Sequence, residues 1–304
     1  MSSTPLMIFP GQGSQKIGMG ESFHLHPVYQ QHWELAHEIL GFDLRQIIQS
    51  GSPEQLTQTL IAQPALFCVQ TGMYQVWQSC GGDPPSAVAG HSLGEYTALV
   101  VAGVLDFEDA LRLVTLRAQL MQDACEENAG GMLAVVRADV HAIQALCQEY
   151  PIWIANINSP QQLVLSGGLE ILNRVQSYLR EAKIGRGIPL KVAGAFHSPL
   201  MDSASQGLNQ AIQNTVFKDP RIPIALNVDA QIYHSGVQIQ EQMIKQLSSS
   251  VQWYQTLLRL ADYSHEFYEL GASTLSALVR QSIDHSEATS IEEWKHMQDL
   301  LKSE

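Results

Sequence analysis

Residues 89–99 read AGHSLGEYTAL and contain the pattern G-x-S-x-G at 90–94. This pattern is typical of a nucleophile elbow, where a strand turns sharply into a helix and presents a serine hydroxyl at the turn. The flanking residues predict a strand over 86–90 and a helix from Leu93 onward. Ser92 is therefore a candidate nucleophile, and the backbone N–H of Leu93 is a candidate donor to an oxyanion. The alternative is that Ser92 only caps an ordinary helix.

The chain around this turn alternates between short apolar runs and longer helical stretches. Because helices separate the predicted strands, the pattern favours a parallel sheet. The strands of this sheet are predicted at 6–9, 86–90, 222–229 and 265–271.

The stretch from about 130 to 196 has a different order, β-α-β-β-α-β, which is that of the ferredoxin-like unit. Its strands are predicted at 132–136, 153–157, 162–166 and 188–193, and its helices at 139–150 and 169–182. We therefore predict an α/β fold in two parts. A ferredoxin-like subdomain at 129–196 is inserted into a catalytic domain made of residues 1–128 and 197–304.

The composition limits the classes of function. Of the 304 residues, 45% are hydrophobic and 15% charged, which predicts a sizeable core. A formal net charge of −13 argues against binding nucleic acid or an anionic membrane surface. There is no apolar run of roughly 20 residues that could span a bilayer and no pattern of a secretory signal. The four cysteines form no C-x-x-C pair, so we expect reduced thiols and a cytoplasmic location. Nothing in the sequence demands an oligomer, and we expect a monomer.

His197 is the histidine best placed to serve Ser92 as a base. It follows a predicted strand in VAGAFHSPLM (192–201), where a loop would carry it to the same sheet edge as Ser92. A purely structural histidine is the alternative. Two other histidines, His37 and His265, begin H-E-x-x without a second histidine, and no metal site is predicted.

Arg117 is the residue most informative about a substrate. A helix predicted from Asp106 to Cys125 places Arg117 beside Ala110 and Met121, inside its apolar arc. A buried guanidinium needs an anion, because an unpaired buried charge is expensive. The functional interpretation is a bidentate grip on a substrate carboxylate. An internal salt bridge or a side chain that reaches solvent remains open.

Several motifs in this order resemble the malonyl-CoA:acyl carrier protein transacylase family, which includes trans-acting acyltransferases of polyketide synthases. The resemblance covers nearly the whole chain and implies an α/β-hydrolase-like core with the inserted ferredoxin-like subdomain. The motifs are FPGQGSQ (9–15), GHSLGEY (90–96), Arg117, GAFHSPLM (194–201), NVDA (227–230) and QLSSSVQW (246–253).

The resemblance implies a role for each position of the catalytic set. Ser92 would be the nucleophile and His197 the base. The backbone carbonyl of Gln246 would orient the imidazole where other enzymes use an acidic residue. Backbone amides of Gln12 and Leu93 would form the oxyanion hole.

The acyl pocket follows from the same resemblance. Arg117 would pair with the carboxylate of malonate, with His91 and Met121 beside it. The ring of Phe196 would exclude acyl groups with a branched α-carbon.

The implied reaction moves a malonyl group from malonyl-CoA to Ser92 and then to the phosphopantetheine thiol of an acyl carrier protein, without a cofactor. The carrier could serve fatty acid or polyketide synthesis. An acyl hydrolase on the same scaffold is an alternative, but it has little use for a buried cation such as Arg117. A carrier-binding scaffold without catalysis is the non-enzymatic alternative, and the intact site disfavours it.

Basic residues cluster in the small subdomain, and we predict that they attract the acidic carrier protein. A solvated helix face is the alternative. The cluster comprises Arg174, Arg180, Lys183, Arg186 and Lys191. The chain departs from the family at 271–273, where Gly-Ala-Ser replaces the common Gly-Pro-Gly, and we expect a less rigid turn there.

Overall fold

The computed structural model describes residues 4–302, which form two separate β-sheets. The larger sheet has six strands in the order β10-β9-β1-β2-β7-β8. Its neighbours are parallel except for the β7–β8 pair, which is antiparallel. The strands are β1 (Leu6–Phe9), β2 (Val88–Gly90), β7 (Ile224–Ala225), β8 (Ile232–Tyr233), β9 (Glu266–Leu270) and β10 (Glu287–Ile291).

Eleven α-helices in residues 4–302 lie outside residues 130–189, which form the smaller sheet and its two helices. Those before this range are α1 (Pro27–Leu40), α2 (Leu44–Ser50), α3 (Pro53–Thr57), α4 (Thr59–Ser79), α5 (Gly94–Val101) and α6 (Phe107–Glu127). Those after it are α9 (Asp202–Asn214), α10 (Gly236–Gln246), α11 (Trp253–Leu260), α12 (Leu275–Ser282) and α13 (Trp294–Leu301). In the part of the chain that the structure describes, no helix is long and apolar enough to cross a membrane.

The smaller sheet is antiparallel, with the strand order β4-β5-β3-β6. Its strands are β3 (Gly130–Val136), β4 (Ile152–Ser159), β5 (Gln162–Gly168) and β6 (Arg186–Pro189). Two helices, α7 (Val140–Glu149) and α8 (Leu169–Ala182), complete the β-α-β-β-α-β succession predicted from the sequence. Apolar residues of these two helices and of the sheet form a core of their own.

Two strands differ most from their predicted bounds, and two further strands were not predicted. The last strand of the small sheet ends at Pro189 rather than at 193, and the chain beyond it is largely exposed. Strand β7 covers only Ile224–Ala225 of the predicted 222–229, and Asn227, just beyond it, donates its backbone N–H to the side chain of Glu95. Strands β8 and β10 were not predicted, and both lie at edges of the sheet, where the residues of β8 are half-buried and those of β10 are exposed or half-buried up to the buried Ile291.

The centre of the large sheet determines where the site lies. Strand β1 is fully buried, as expected for a central parallel strand covered on both faces. It pairs with β2 so that Phe9 lies opposite Gly90. The loop after β1 and the elbow after β2 therefore leave the sheet side by side at its carboxyl edge.

Candidate active site

The turn between β2 and α5 has the crowded backbone that a nucleophile elbow requires. A Cβ added to Gly90 would collide with the backbone of Gly94, and one added to Gly94 would collide with the carbonyl of Phe9. Ser92 has φ +52°, in the left-handed region that non-glycine residues rarely adopt. The two glycines of the pattern are therefore required by space, and Ser92 is held in a strained conformation.

Ser92 and His197 lie within hydrogen-bonding distance, with 2.8 Å between Ser92 Oγ and His197 Nε2. The other ring nitrogen, Nδ1, lies 3.2 Å from the carbonyl oxygen of Gln246 and 3.0 Å from that of Ser249. Because carbonyls only accept, Nδ1 carries the proton and Nε2 is free to accept from the serine. No ion pair within residues 4–302 involves His197.

The pKa of His197 favours the neutral imidazole. Burial is the main cause, and the neighbouring Arg117 and His91 add to it, so that the pKa falls to about 3. The carbonyls of Ser249 and Gln246 oppose this shift, since they favour the protonated ring. His197 is therefore unprotonated at neutral pH and able to accept a proton.

Arg117 is buried next to the serine, with 1% of its surface exposed. Its Nη2 donates to Ser92 Oγ at 3.0 Å and to Gln246 Oε1 at 3.4 Å, and its Nη1 donates to Gln63 Oε1 at 2.8 Å. Its Nε has no hydrogen-bond partner, and its guanidinium lies 5.8 Å from the ring centre of Tyr96. Burial lowers the pKa of Arg117.

This environment decides between the alternatives left open for Arg117. The guanidinium makes no ion pair with any carboxylate in residues 4–302, so the internal salt bridge is absent. Its burial also excludes a side chain that reaches solvent. A buried cation without an ionic partner can accept an anionic ligand.

The buried carboxyl group of Glu95 lies next to the elbow, three residues after Ser92 in the chain. Glu95 is 1% exposed and accepts hydrogen bonds from the backbone N–H of Asn227 and from Gln246 Nε2, at 2.6 and 2.9 Å. Burial raises the pKa of Glu95 to about 8, while these donors and Arg117 oppose the shift.

Two backbone amides beside the serine are free to bind an oxyanion. Within residues 4–302, the N–H groups of Gln12 and Leu93 make no hydrogen bond. Leu93 stands at the N-terminus of α5, and the loop that contains Gln12 approaches the elbow closely. A Cβ added to Gly11 would lie 2.5 Å from the carbonyl oxygen of His91.

The remaining predicted site residues surround this centre. Met121 Sδ and Gln12 Oε1 both lie 3.2 Å from Gln63 Nε2. Phe196 is buried directly before His197 in the chain. His91 Nε2 lies 3.0 Å from Asn158 Oδ1, and burial lowers the pKa of His91. Nothing in residues 4–302 groups three or more His, Cys, Asp or Glu in a way that could hold a metal ion.

A cleft of about 640 Å³ leads away from the site. Gln12 and His91 belong to its lining, together with residues of the small sheet and of α12 such as Val164 and Leu278. Lys191 also lines the cleft, and all five basic residues predicted to attract a carrier are exposed. The cleft is open to solvent and therefore gives a long ligand a path to the site.

Sequence reasoning did not identify four polar residues at the centre: Gln63, Glu95, Asn227 and Ser249. A weak signal existed for two of them. Gln63 and Glu95 are polar residues within otherwise apolar helical stretches, IAQPALF and GEYTALV, and both are almost fully buried. Such residues must find internal partners.

Comparison with known proteins agrees with this geometry. A family model described as acyl transferase domain matches residues 6–302. The malonyl CoA-acyl carrier protein transacylase of Escherichia coli (strain K12) is 36% identical, over 94% of this chain and 95% of its own length.

Solved structures agree as well. An acyl carrier protein S-malonyltransferase from Vibrio cholerae has a TM-score of 0.93 at 34% identity, covering 98% of this chain and 100% of its own. A malonyl-transacylase solved in complex with its type II polyketide synthase acyl-carrier protein has a TM-score of 0.95 at 35% identity. That match covers 99% of this chain and 100% of the other. The chain therefore belongs to the acyl transferase domain family.

Proposed function

We propose that this protein is a malonyl-CoA:acyl carrier protein S-malonyltransferase. The observation that carries the proposal is the buried guanidinium of Arg117, without an ionic partner and 3.0 Å from Ser92 Oγ. An acyl group held at Ser92 with a free carboxylate would supply the missing anion. The names of the relatives point to the same substrates.

The first half-reaction loads the enzyme. His197 Nε2 takes the proton of the Ser92 hydroxyl as Oγ attacks the thioester carbonyl of malonyl-CoA. The N–H groups of Gln12 and Leu93 stabilise the oxyanion that forms. The tetrahedral intermediate collapses and the carbon–sulfur bond breaks, while His197 donates the proton to the sulfur of CoA, which leaves as a thiol.

The second half-reaction transfers the acyl group. His197 accepts the proton of the phosphopantetheine thiol on the carrier protein, and the sulfur attacks the malonyl-serine ester. The ester bond breaks, and Ser92 Oγ regains a proton from His197. All proton transfers use residues of this chain, so no cofactor is required.

The proposal assigns the surrounding residues as well. Arg117 exchanges its bond to Ser92 Oγ for bonds to the malonyl carboxylate, with His91 and Met121 beside the acyl group. Phe196 closes the pocket against branched acyl groups. The cleft receives the pantetheine arm, and the carrier docks near the basic residues Arg174, Arg180, Lys183, Arg186 and Lys191.

We also propose that the chain is divided into two structural units. The parallel sheet with its elbow after β2 supports an α/β-hydrolase-like core made of 1–128 and 197–304. The antiparallel sheet and its two helices support a ferredoxin-like subdomain at 129–196. The cytoplasmic location and the monomeric state remain predictions.

Incubation with malonyl-CoA tests the proposed function. Mass spectrometry should find a malonyl adduct on the peptide that contains Ser92, and holo carrier protein should remove it. The Ser92→Ala variant should form no adduct. A wild-type protein that forms no adduct, or one that loses it only to water, would overturn the proposal.

A further inference from the structure

We propose that Glu95 is a positioning residue, whose carboxyl group holds both the nucleophile Ser92 and the base His197 in place through Asn227 and Gln246. The proposal rests on the roles proposed above for Ser92 and His197. The Glu95 side chain bonds neither of them, although its backbone N–H donates to the Ser92 carbonyl at 3.1 Å in the first turn after the elbow. It acts through Asn227 and Gln246, each of which bonds one of its oxygens.

Asn227 connects Glu95 with the strained turn at Ser92. Its backbone N–H donates to Glu95 Oε1 at 2.6 Å. Its side-chain oxygen accepts the N–H of Ser92 at 2.7 Å, and its Nδ2 donates to the carbonyl of Gly90 at 2.6 Å. Asn227 thus bridges both sides of the elbow, and these bonds help to maintain the left-handed conformation of Ser92.

Gln246 connects Glu95 with the imidazole of His197. Its Nε2 donates to Glu95 Oε2 at 2.9 Å and to the carbonyl of Ser92 at 2.8 Å. The backbone carbonyl of the same residue lies 3.2 Å from His197 Nδ1. Gln246 therefore connects the carboxylate, the turn and the imidazole.

Burial raises the pKa of Glu95, whereas the hydrogen bonds to its two oxygens oppose that shift because they favour the ionised form. Each of its oxygens accepts a hydrogen bond from an N–H group. A proton on the oxygen that faces such a group would point at another hydrogen and weaken that bond. Arg117 is the nearby cation, while Tyr96 and Asp229 are the other ionisable groups that act on this region. Glu95 and Arg117 make no direct ion pair, but Gln246 lies between them, accepting from Arg117 and donating to Glu95.

This arrangement fixes the orientation of the Gln246 amide. If Glu95 were replaced by glutamine, one oxygen would become an NH2 group. The N–H of Asn227 cannot rotate, so the new NH2 would face Gln246 Nε2. Rotating the Gln246 amide by half a turn would relieve that contact. It would, however, place the amide oxygen against the carbonyl oxygen of Ser92 and the NH2 group against the NH2 group of Arg117, so that both present hydrogen bonds would be lost.

The test compares Glu95→Gln with a matched control, Glu269→Gln. Glu269 is equally buried and accepts three backbone N–H groups at the start of α12, but it contacts neither Ser92 nor His197. Two rates are measured for each variant: loading by malonyl-CoA, and inactivation by phenylmethylsulfonyl fluoride, a neutral reagent for activated serines. Thermal unfolding of each variant reports its stability.

For Glu95→Gln we expect both rates to fall, on the order of 10²-fold, because small displacements of reacting groups are costly. The KM for malonyl-CoA should change little, since Arg117 remains. Glu269→Gln should lower the melting temperature by a similar amount but leave the inactivation rate unchanged. The Glu95→Asp variant keeps two acceptor oxygens and should recover part of the rate.

A double-mutant cycle with Gln246→Met separates positioning from simple destabilisation. If Glu95 acts through the Gln246 amide, the losses in rate from Glu95→Gln and Gln246→Met should not be additive. Additive losses, or an inactivation rate in Glu95→Gln equal to that of the wild type, would overturn the proposal. If Glu95→Gln does not fold, Glu95→Asp and the cycle built on it decide the question. Because phenylmethylsulfonyl fluoride does not require malonyl chemistry, failure of the proposed function would leave this test intact.

Discussion

Arg117 Nη2 donates a hydrogen bond of 3.0 Å to Ser92 Oγ, the oxygen that also lies 2.8 Å from His197 Nε2. The serine oxygen therefore lies between a cation and a neutral base. A cation this close stabilises negative charge on the oxygen, and it can also bind the far carboxylate of an acyl group attached there. Under the proposed function, Arg117 would therefore influence both the reactivity of the serine and the choice of acyl group.

Replacing Arg117 by alanine should separate acyl selection from serine chemistry. We expect kcat/KM for malonyl-CoA to fall on the order of 10²- to 10³-fold, as for loss of a buried charged hydrogen-bond partner. Transfer from acetyl-CoA should be retained or increased, because that acyl group brings no carboxylate to the pocket. Steady-state kinetics with the two thioesters measures both changes.

The matched control for this substitution is Arg112→Ala, on the exposed side of the same helix α6. It should leave both activities unchanged. A preference for malonyl-CoA that survives Arg117→Ala would contradict the assignment of Arg117 to the carboxylate.

Stability should fall in acid partly because of His32, a buried histidine outside the site. Burial lowers its pKa from 6.5 to about 4. Between these two values the unfolded chain binds a proton that the folded protein does not, so stability is present above pH 6.5 and is lost as the pH falls. One such group contributes a slope of about 1.4 kcal/mol per pH unit.

The His32→Gln variant should lack this contribution. Chemical denaturation at a series of pH values should show a shallower loss of unfolding free energy between about pH 6 and pH 4. His141→Gln, at an exposed position of α7, is the control. An unchanged slope in His32→Gln would show that His32 is protonated in the folded protein.

The elbow could be predicted from sequence because a short contiguous pattern contains the serine and both glycines that the turn requires. Gly90 and Gly94 are required by backbone contacts with neighbouring segments, and the same short pattern places Ser92 between them. The apolar periodicity of α6 likewise predicted that Arg117 is buried.

The supporting network could not be predicted in the same way. Glu95 bonds Asn227 and Gln246, which are 132 and 151 positions away along the chain. A buried polar residue in an apolar helix shows that a partner exists, but nothing local shows which residue supplies it. The edge strand β10 was missed because its short, mostly polar sequence resembles a loop.

Charge reversal at Lys183 and Arg186 tests carrier docking on the small subdomain. Both side chains are exposed, at the end of α8 and in β6. If they attract an acidic carrier, Lys183→Glu/Arg186→Glu should lower kcat/KM for transfer to the carrier and weaken its dependence on salt. Loading by malonyl-CoA should not change, because the elbow and Arg117 lie elsewhere. The control reverses two exposed charges on other elements, Arg259→Glu/Lys295→Glu, and equal losses in the two double variants would contradict a specific docking surface.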